Sequence, residues 1–183
     1  MAALLGICGS VRKASLNRAL LVAVGGALPE TATFSIHDGL EHLPIFSSDL
    51  DDPPRVAELK AAIAAADGVI FAVPEYNYSI PGGLKNALDW VSRPPASSPM
   101  RGKPIGIVGA ATGMSGTIRA QSHMRQMLIY SDSPCLGQPE VLIPRAHERF
   151  AADGTLTDES TRQLLARFGA AFVAFVERTT GRP

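Results

Sequence analysis

Three short segments gather side chains able to bind an anion or a flat heterocycle. The first, Gly9-Ser10-Val11-Arg12-Lys13-Ala14-Ser15-Leu16-Asn17, packs two hydroxyls, an amide and two cations into one loop. If a helix opens near Ser15, its unpaired N–H groups and positive dipole end lie beside the Ser10 and Ser15 hydroxyls, the Asn17 amide and the Arg12 guanidinium. All of these can donate to one phosphate. The same residues also read as a turn capped by Ser15 with Arg12 and Lys13 solvated, and the loop alone does not choose between the two. Neither GxxxxGK[ST] nor GxGxxG occurs here, which argues against nucleoside triphosphate hydrolysis and a conventional dinucleotide site. The second segment, Pro74-Glu75-Tyr76-Asn77-Tyr78-Ser79-Ile80-Pro81-Gly82-Gly83, offers rigid backbone donors and an aromatic wall. It also reads as a turn whose tyrosines cover a sheet edge. The third, Ala110-Ala111-Thr112-Gly113-Met114-Ser115-Gly116, is small enough for a ligand to approach the backbone. A plain tight connection is its other reading.

Little else points to chemistry. Cys8 and Cys135 form no CxxC pair and have no histidine at metal-ligand spacing, so neither a disulfide framework nor a metal site is expected. His37, His42, His123 and His147 fall in no constellation. No triad or pair of carboxylates suggests acid–base or nucleophilic catalysis. Glu75 is the one carboxylate expected at the site, in a backbone-ordering role.

These segments need a scaffold. The chain has 183 residues, 17 basic and 17 acidic, with 46% hydrophobic residues. One soluble domain over residues 1–183 is expected, since a chain of this length buries roughly 70% of its unfolded surface. Disorder is excluded by the apolar content, and the neutral balance argues against a nonspecific nucleic-acid binder. The apolar start precedes Arg12 and Lys13, the reverse of a secretory signal, and no apolar run approaches the ~18 residues of a membrane span. A cytoplasmic protein with no membrane insertion is expected.

Short apolar or β-branched runs at Ala3–Cys8, Thr33–His37, Gly68–Val73, Pro104–Gly109 and Pro139–Ile143 read as strands. Helical segments are expected at Ser15–Leu28, Pro53–Ala66, Gly82–Val91, Gly116–Tyr130 and Thr157–Val176, the last with Thr157 as its N-cap. Strands alternating with helices imply a parallel sheet covered on both faces. The Pro/Ser-rich stretch from Arg93 to Pro99 reads as a surface loop rather than a linker. In such a sheet, ligands bind beyond the carboxyl ends of the strands, and the three segments follow the first, third and fourth strands.

The first and second segments, the latter continuing as Leu84-Lys85-Asn86-Ala87-Leu88-Asp89-Trp90, resemble the NADPH-dependent FMN reductase family. The likeness is greatest to its soluble quinone- and chromate-reductase branch. Gly102-Lys103-Pro104 and the helix from Arg119 to Leu128 also fit, so the resemblance spans nearly the whole chain in order. It implies a flavodoxin-like three-layer α/β/α fold with a five-stranded parallel sheet of order 2-1-3-4-5. It also implies tightly but non-covalently bound FMN, NADPH or NADH as donor, and ping-pong two-electron reduction of a small acceptor: a quinone, chromate, an azo compound or free flavin. Carried over by position, Ser10, Arg12, Ser15, Leu16 and Asn17 bind the FMN phosphate end. Pro74, Glu75, Tyr76 and Asn77 bracket the isoalloxazine largely through main-chain contacts, and Ser115 completes its other edge. Lys13 either faces solvent or meets the NADPH 2′-phosphate.

Two departures stand out. Cys8 occupies a strand position where the family often has a small polar residue, and Thr117-Ile118 stands where small residues are common. The alternative function on this fold is an electron carrier without NAD(P)H reductase activity, disfavoured by the lack of acidic excess; a flavin-free module is a further one. The resemblance also implies a homodimer or homotetramer. Arg119, Arg125, Tyr130 and Trp90 are candidates for the subunit surface, or else core and solvated residues.

Overall fold

The computed structural model describes residues 1–181. Five parallel strands, β1 (Ala2–Cys8), β2 (Ala32–His37), β3 (Gly68–Ala72), β4 (Ile105–Ala110) and β5 (Val141–Ile143), form one sheet of order β2-β1-β3-β4-β5. The expected order is therefore the one observed. Connecting them are α1 (Leu16–Gly26), α2 (Pro54–Ala65), α3 (Gly82–Val91) and α4 (Ile118–Leu128), with α5 (Glu159–Thr180) closing the chain.

Strand periodicity divides the core. Leu4 and Cys8 of β1 and Ile70 and Ala72 of β3 face one side, where Leu20, Leu21 and Val24 of α1 pack with Leu165, Phe168 and Phe172 of α5. Leu5 and Ile7 with Val69 and Phe71 face the other, under Val56 and Leu59 of α2, Leu84 and Trp90 of α3, and Met124 of α4. The strands β3 and β4 are buried throughout, which is why they read as continuous apolar runs, whereas edge strand β2 is only partly covered.

Two helix starts need correction, and one open reading closes. Helix α4 begins at Ile118 rather than Gly116, because Gly116 and Thr117 both have positive φ and cannot join a right-handed helix. Of the two readings left open for Trp90, the structure takes the core one: its indole Nε1–H donates to Pro44 O at 2.8 Å, and its ring meets Phe46 edge-on. The N-cap of α5 is Asp158, not Thr157.

The Asp158 carboxylate accepts from Thr161 N at 2.7 Å, from the Ser160 and Thr161 hydroxyls at 2.6 Å each, and from Arg149 Nη1 at 2.8 Å. Thr157 turns its hydroxyl back to Arg149 O. The Ser160 and Thr161 donors, with Arg149 assisting, hold the Asp158 carboxyl well below the usual carboxylate range. Its folded pKa is depressed, so its stabilisation is fully present above the unfolded value of about 3.9 and fades as pH falls toward the folded value. The expected result is an Asp158→Asn variant with a lower Tm than wild type at pH 7 and a gap that narrows below about pH 4. Thermal denaturation of both proteins across that range checks it.

Candidate functional site

The three loops meet at the carboxyl edge of β1, β3 and β4. At the end of β1, Gly9 N–H donates to Ala72 O at 2.8 Å. A Cβ on Gly9 would lie 3.0 Å from both Leu84 Cδ2 and Pro74 Cδ, so glycine lets the first loop close against the second. Ser15 then caps α1, its Oγ accepting from Arg18 N at 3.3 Å. The hydroxyl hydrogen is left for Cys8 Sγ or a ligand. Leu16 opens the helix, and its first turn holds no acidic residue.

Ser10 Oγ lies 3.4 Å from Arg12 N. Arg12 and Lys13 are exposed and form no ion pair among the described residues, whereas Arg18 is engaged bidentately by Asp38. Beneath the loop, Cys8 Sγ lies 3.9 Å from Ser15 Oγ. Burial pushes the Cys8 thiol up, so this sulfur is neutral packing rather than a nucleophile.

The structure corrects the expectation for the Asn17 side chain. Its amide is buried, with Oδ1 accepting from Ala110 N at 3.0 Å and Nδ2 donating to Ala110 O at 2.9 Å. It ties α1 to the last residue of β4 and leaves the anion loop its backbone N–H. Removing it strands a buried N–H and C=O, so Asn17→Ala is expected to cost about 3 kcal/mol. Urea unfolding measures this.

The second loop is a two-residue hairpin. Tyr76 and Ser79 exchange N–H···O bonds of 2.9 and 3.0 Å, with Asn77 and Tyr78 between them at φ 50° and 65°. Asn tolerates the left-handed region, but for Tyr78 it costs about 1–2 kcal/mol. No hydrogen bond is seen from the Asn77 or Tyr78 N–H to any described residue. Two backbone donors are therefore free at the turn.

Glu75, just before the turn, is bound on several sides. Its side chain, only 6% exposed, accepts from Arg119 Nε at 2.8 Å, Arg119 N at 3.1 Å and Ala120 N at 3.4 Å, with a further contact to Arg119 Nη2. Ser115 Oγ approaches it at 3.4 Å. Burial pushes the Glu75 carboxyl up, but the Arg119 side chain and the Ala120 and Arg119 N–H groups outweigh it and hold the group below its ordinary range. Thr117 gives α4 no side-chain cap, so a carboxylate from the neighbouring loop supplies one. The backbone-ordering role expected of Glu75 is the one its contacts describe.

The same helix takes hold of the rest of the turn. The Arg119 guanidinium carbon sits 3.8 Å from the Tyr78 ring centroid, and His123 Nδ1 lies 2.9 Å from Ser79 Oγ. Neither side chain was expected beside the second loop. The available signal was an arginine in the first turn of a helix, where the dipole disfavours a cation unless a carboxylate meets it. Of the other candidates for a subunit surface, Arg125 donates to Cys135 Sγ and Leu136 O, and exposed Tyr130 stacks with Arg93.

The donor set fits a phosphate ester carrying a flat ring. Among the described residues, two cations without counter-ions stand beside an acid-free helix N-terminus, hydroxyls adjoin them, and free backbone donors lie on the next loop. Sheet order and site together define a flavodoxin-like, mononucleotide-binding protein. The chain belongs to the NADPH-dependent FMN reductase family, which residues 2–148 match.

An NAD(P)H-dependent FMN reductase of Pseudomonas aeruginosa is 43% identical over 97% of this chain and 96% of its own length. A 2-hydroxy-1,4-benzoquinone reductase of a Burkholderia species is 42% identical over 93% of each. Among solved structures, the flavoenzyme NAD(P)H:(acceptor) oxidoreductase FerB from Paracoccus denitrificans superimposes with a TM-score of 0.89. It is 35% identical and covers 98% of this chain and 99% of its own.

Proposed function

We propose that this single-domain chain is an NAD(P)H-dependent, FMN-containing oxidoreductase whose acceptor is a quinone. The observation that carries the reading is the pairing of uncompensated Arg12 and Lys13 with the α1 N-terminus, beside the free donors of the second loop. Bound FMN supplies the hydride chemistry, accepting two electrons from NAD(P)H and passing them to the acceptor. The protein binds, orients and sets the electrostatics.

Arg12, the Ser10 and Ser15 hydroxyls and the backbone N–H groups of Leu16 and Asn17 hold the phosphate. Pro74, Glu75, Tyr76 and Asn77 would hold the isoalloxazine through main-chain atoms, with Ser115 assisting from the third loop. With FMN bound, the backbone N–H donors of the Asn77–Tyr78 turn would stabilise negative charge on the ring much as an oxyanion hole does.

The choice of quinone rests on the rim of the site. Val11 on the first loop, Tyr76 and Tyr78 on the second and Met114 on the third are all exposed large apolar side chains, Met114 at 74%. Such a rim suits a flat, uncharged acceptor better than an oxyanion. The kinship with a benzoquinone reductase supports the same class. No observation favours the electron-carrier alternative.

A homodimer or homotetramer goes with this reading, supported by exposed Ile129 and Tyr130 at the end of α4. Among the described residues no helix is long and apolar enough to cross a membrane. A cytoplasmic location is part of the proposal, and the free thiols of Cys8 and Cys135 suit a reducing compartment. Steady-state turnover of NADPH with benzoquinone or with chromate tests the acceptor class. A higher kcat/KM for benzoquinone is expected, and a preference for chromate would overturn the assignment.

A further inference from the structure

The second loop does not hold its own shape. Asn77 and Tyr78 stand side by side in the left-handed region, and Tyr78 has neither the missing Cβ of glycine nor the short polar side chain of asparagine to favour it. The conformation persists because α4 grips the turn from three positions on one face of its first two turns. Arg119 and Ala120 take Glu75 before the turn, Arg119 lies under the ring of Tyr78 within it, and His123 meets Ser79 after it. Among the described residues, Arg119 alone reaches both the carboxylate and the ring. Its guanidinium suits that double task, because a planar fork can chelate a carboxylate while its face packs on an aromatic.

We propose that Arg119 is a positioning residue for the flavin: by chelating Glu75 and stacking on Tyr78 it holds the Asn77–Tyr78 turn left-handed, so that its two free backbone N–H groups stay aimed at the bound ring. Arg119 acts on the ligand only through the turn. The inference rests on the FMN-site reading above and extends it to a side chain outside the three loops.

A distinct consequence follows from the left-handed geometry. Glycine adopts positive φ without penalty, so a turn with glycine at position 78 no longer needs the arginine. The test is a double-mutant cycle on FMN affinity, read by flavin fluorescence, with Arg119→Ala, Tyr78→Gly and the double variant. Arg119→Ala alone is expected to raise the FMN Kd about tenfold and to move the absorption maximum of bound flavin toward that of free flavin. In the Tyr78→Gly background the same change is expected to alter Kd by less than about threefold.

Unchanged FMN affinity in Arg119→Ala overturns the proposal. So does a loss of equal size in both backgrounds, which would mean that Arg119 touches the ligand itself. A lowered urea midpoint with unaltered Kd and spectrum also overturns it, because that is the result of a merely structural ion pair. If Arg119→Ala does not fold, Arg119→Lys carries the same cycle, since a point charge cannot chelate and stack at once. A wild-type chain that fails to bind FMN overturns the site reading, and this inference with it, and is recognised before any variant is made.

Discussion

Replacing Arg12 by alanine is expected to raise the Kd for FMN roughly tenfold to a hundredfold, with little change in protein stability. The reasoning begins with charge. A phosphate monoester carries close to two negative charges at neutral pH, and the α1 N-terminus meets it with backbone dipoles but no side-chain acid nearby. Arg12 and Lys13 are the cations of that loop, and neither is engaged in an ion pair among the described residues. Arg18, the next cation along, is already held by Asp38 and is not free to substitute. A charge-assisted bond of the kind Arg12 can form contributes about 1.5–3 kcal/mol, which sets the size of the effect. Because Arg12 is exposed and outside the core, the urea midpoint should hardly move. Fluorescence titration of the apoprotein with FMN reads the first quantity, and unaltered affinity would remove Arg12 from the phosphate site.

The second large effect is on folding. Gly109 lies one residue before the end of β4, directly under the third loop, and a Cβ there would fall 1.8 Å from Thr117 Oγ1 and 2.9 Å from both Gln121 Nε2 and Val73 O. These neighbours have little room to yield. Thr117 is fully buried in a left-handed conformation, its hydroxyl accepting from Gln121 Nε2, and Val73 O belongs to backbone tied to β4 by Val73 N–H, which donates to Val108 O at 2.8 Å. Gly109→Ala is expected to destabilise the protein by more than about 3 kcal/mol, the top of the usual range for overpacking.

Adding Thr117→Gly should restore much of that loss, because it removes the clashing hydroxyl and suits positive φ. Urea unfolding of the single and double variants checks both statements. The Thr117 side chain fills the space that the glycine on β4 leaves open.

What was legible in the sequence divides along physical lines. Strands buried on both faces announce themselves as uninterrupted apolar runs, so β3 and β4 were visible without any partner. The three loops could be placed because they follow strands whose carboxyl ends must share one edge of a parallel sheet. Contacts between residues distant in the chain were not legible. The Asn17 amide could serve a ligand or a buried backbone with equal chemical sense, and the choice is made by Ala110, 93 residues away. The Glu75–Arg119 pair spans 44 positions and only appears once β3 and β4 lie side by side.

Other misses were local and closer to hand. Thr157 and Asp158 are both good helix caps, and the decision falls to Asp158 because its carboxylate can also meet Arg149. Trp90 follows Leu84 and Ala87 at steps of three, all three buried, so its core position was present in the helical periodicity. Of the core and surface readings left open for it, that periodicity favours the core.

The most direct test of the central claim is an anaerobic two-step reaction of the FMN-loaded protein followed by visible absorption. Addition of NADPH should bleach the bound flavin rapidly, and one equivalent of benzoquinone added afterwards should restore its colour without further donor. Flavin that stays oxidised with both NADPH and NADH, or that bleaches and is not reoxidised by the quinone, would contradict the account.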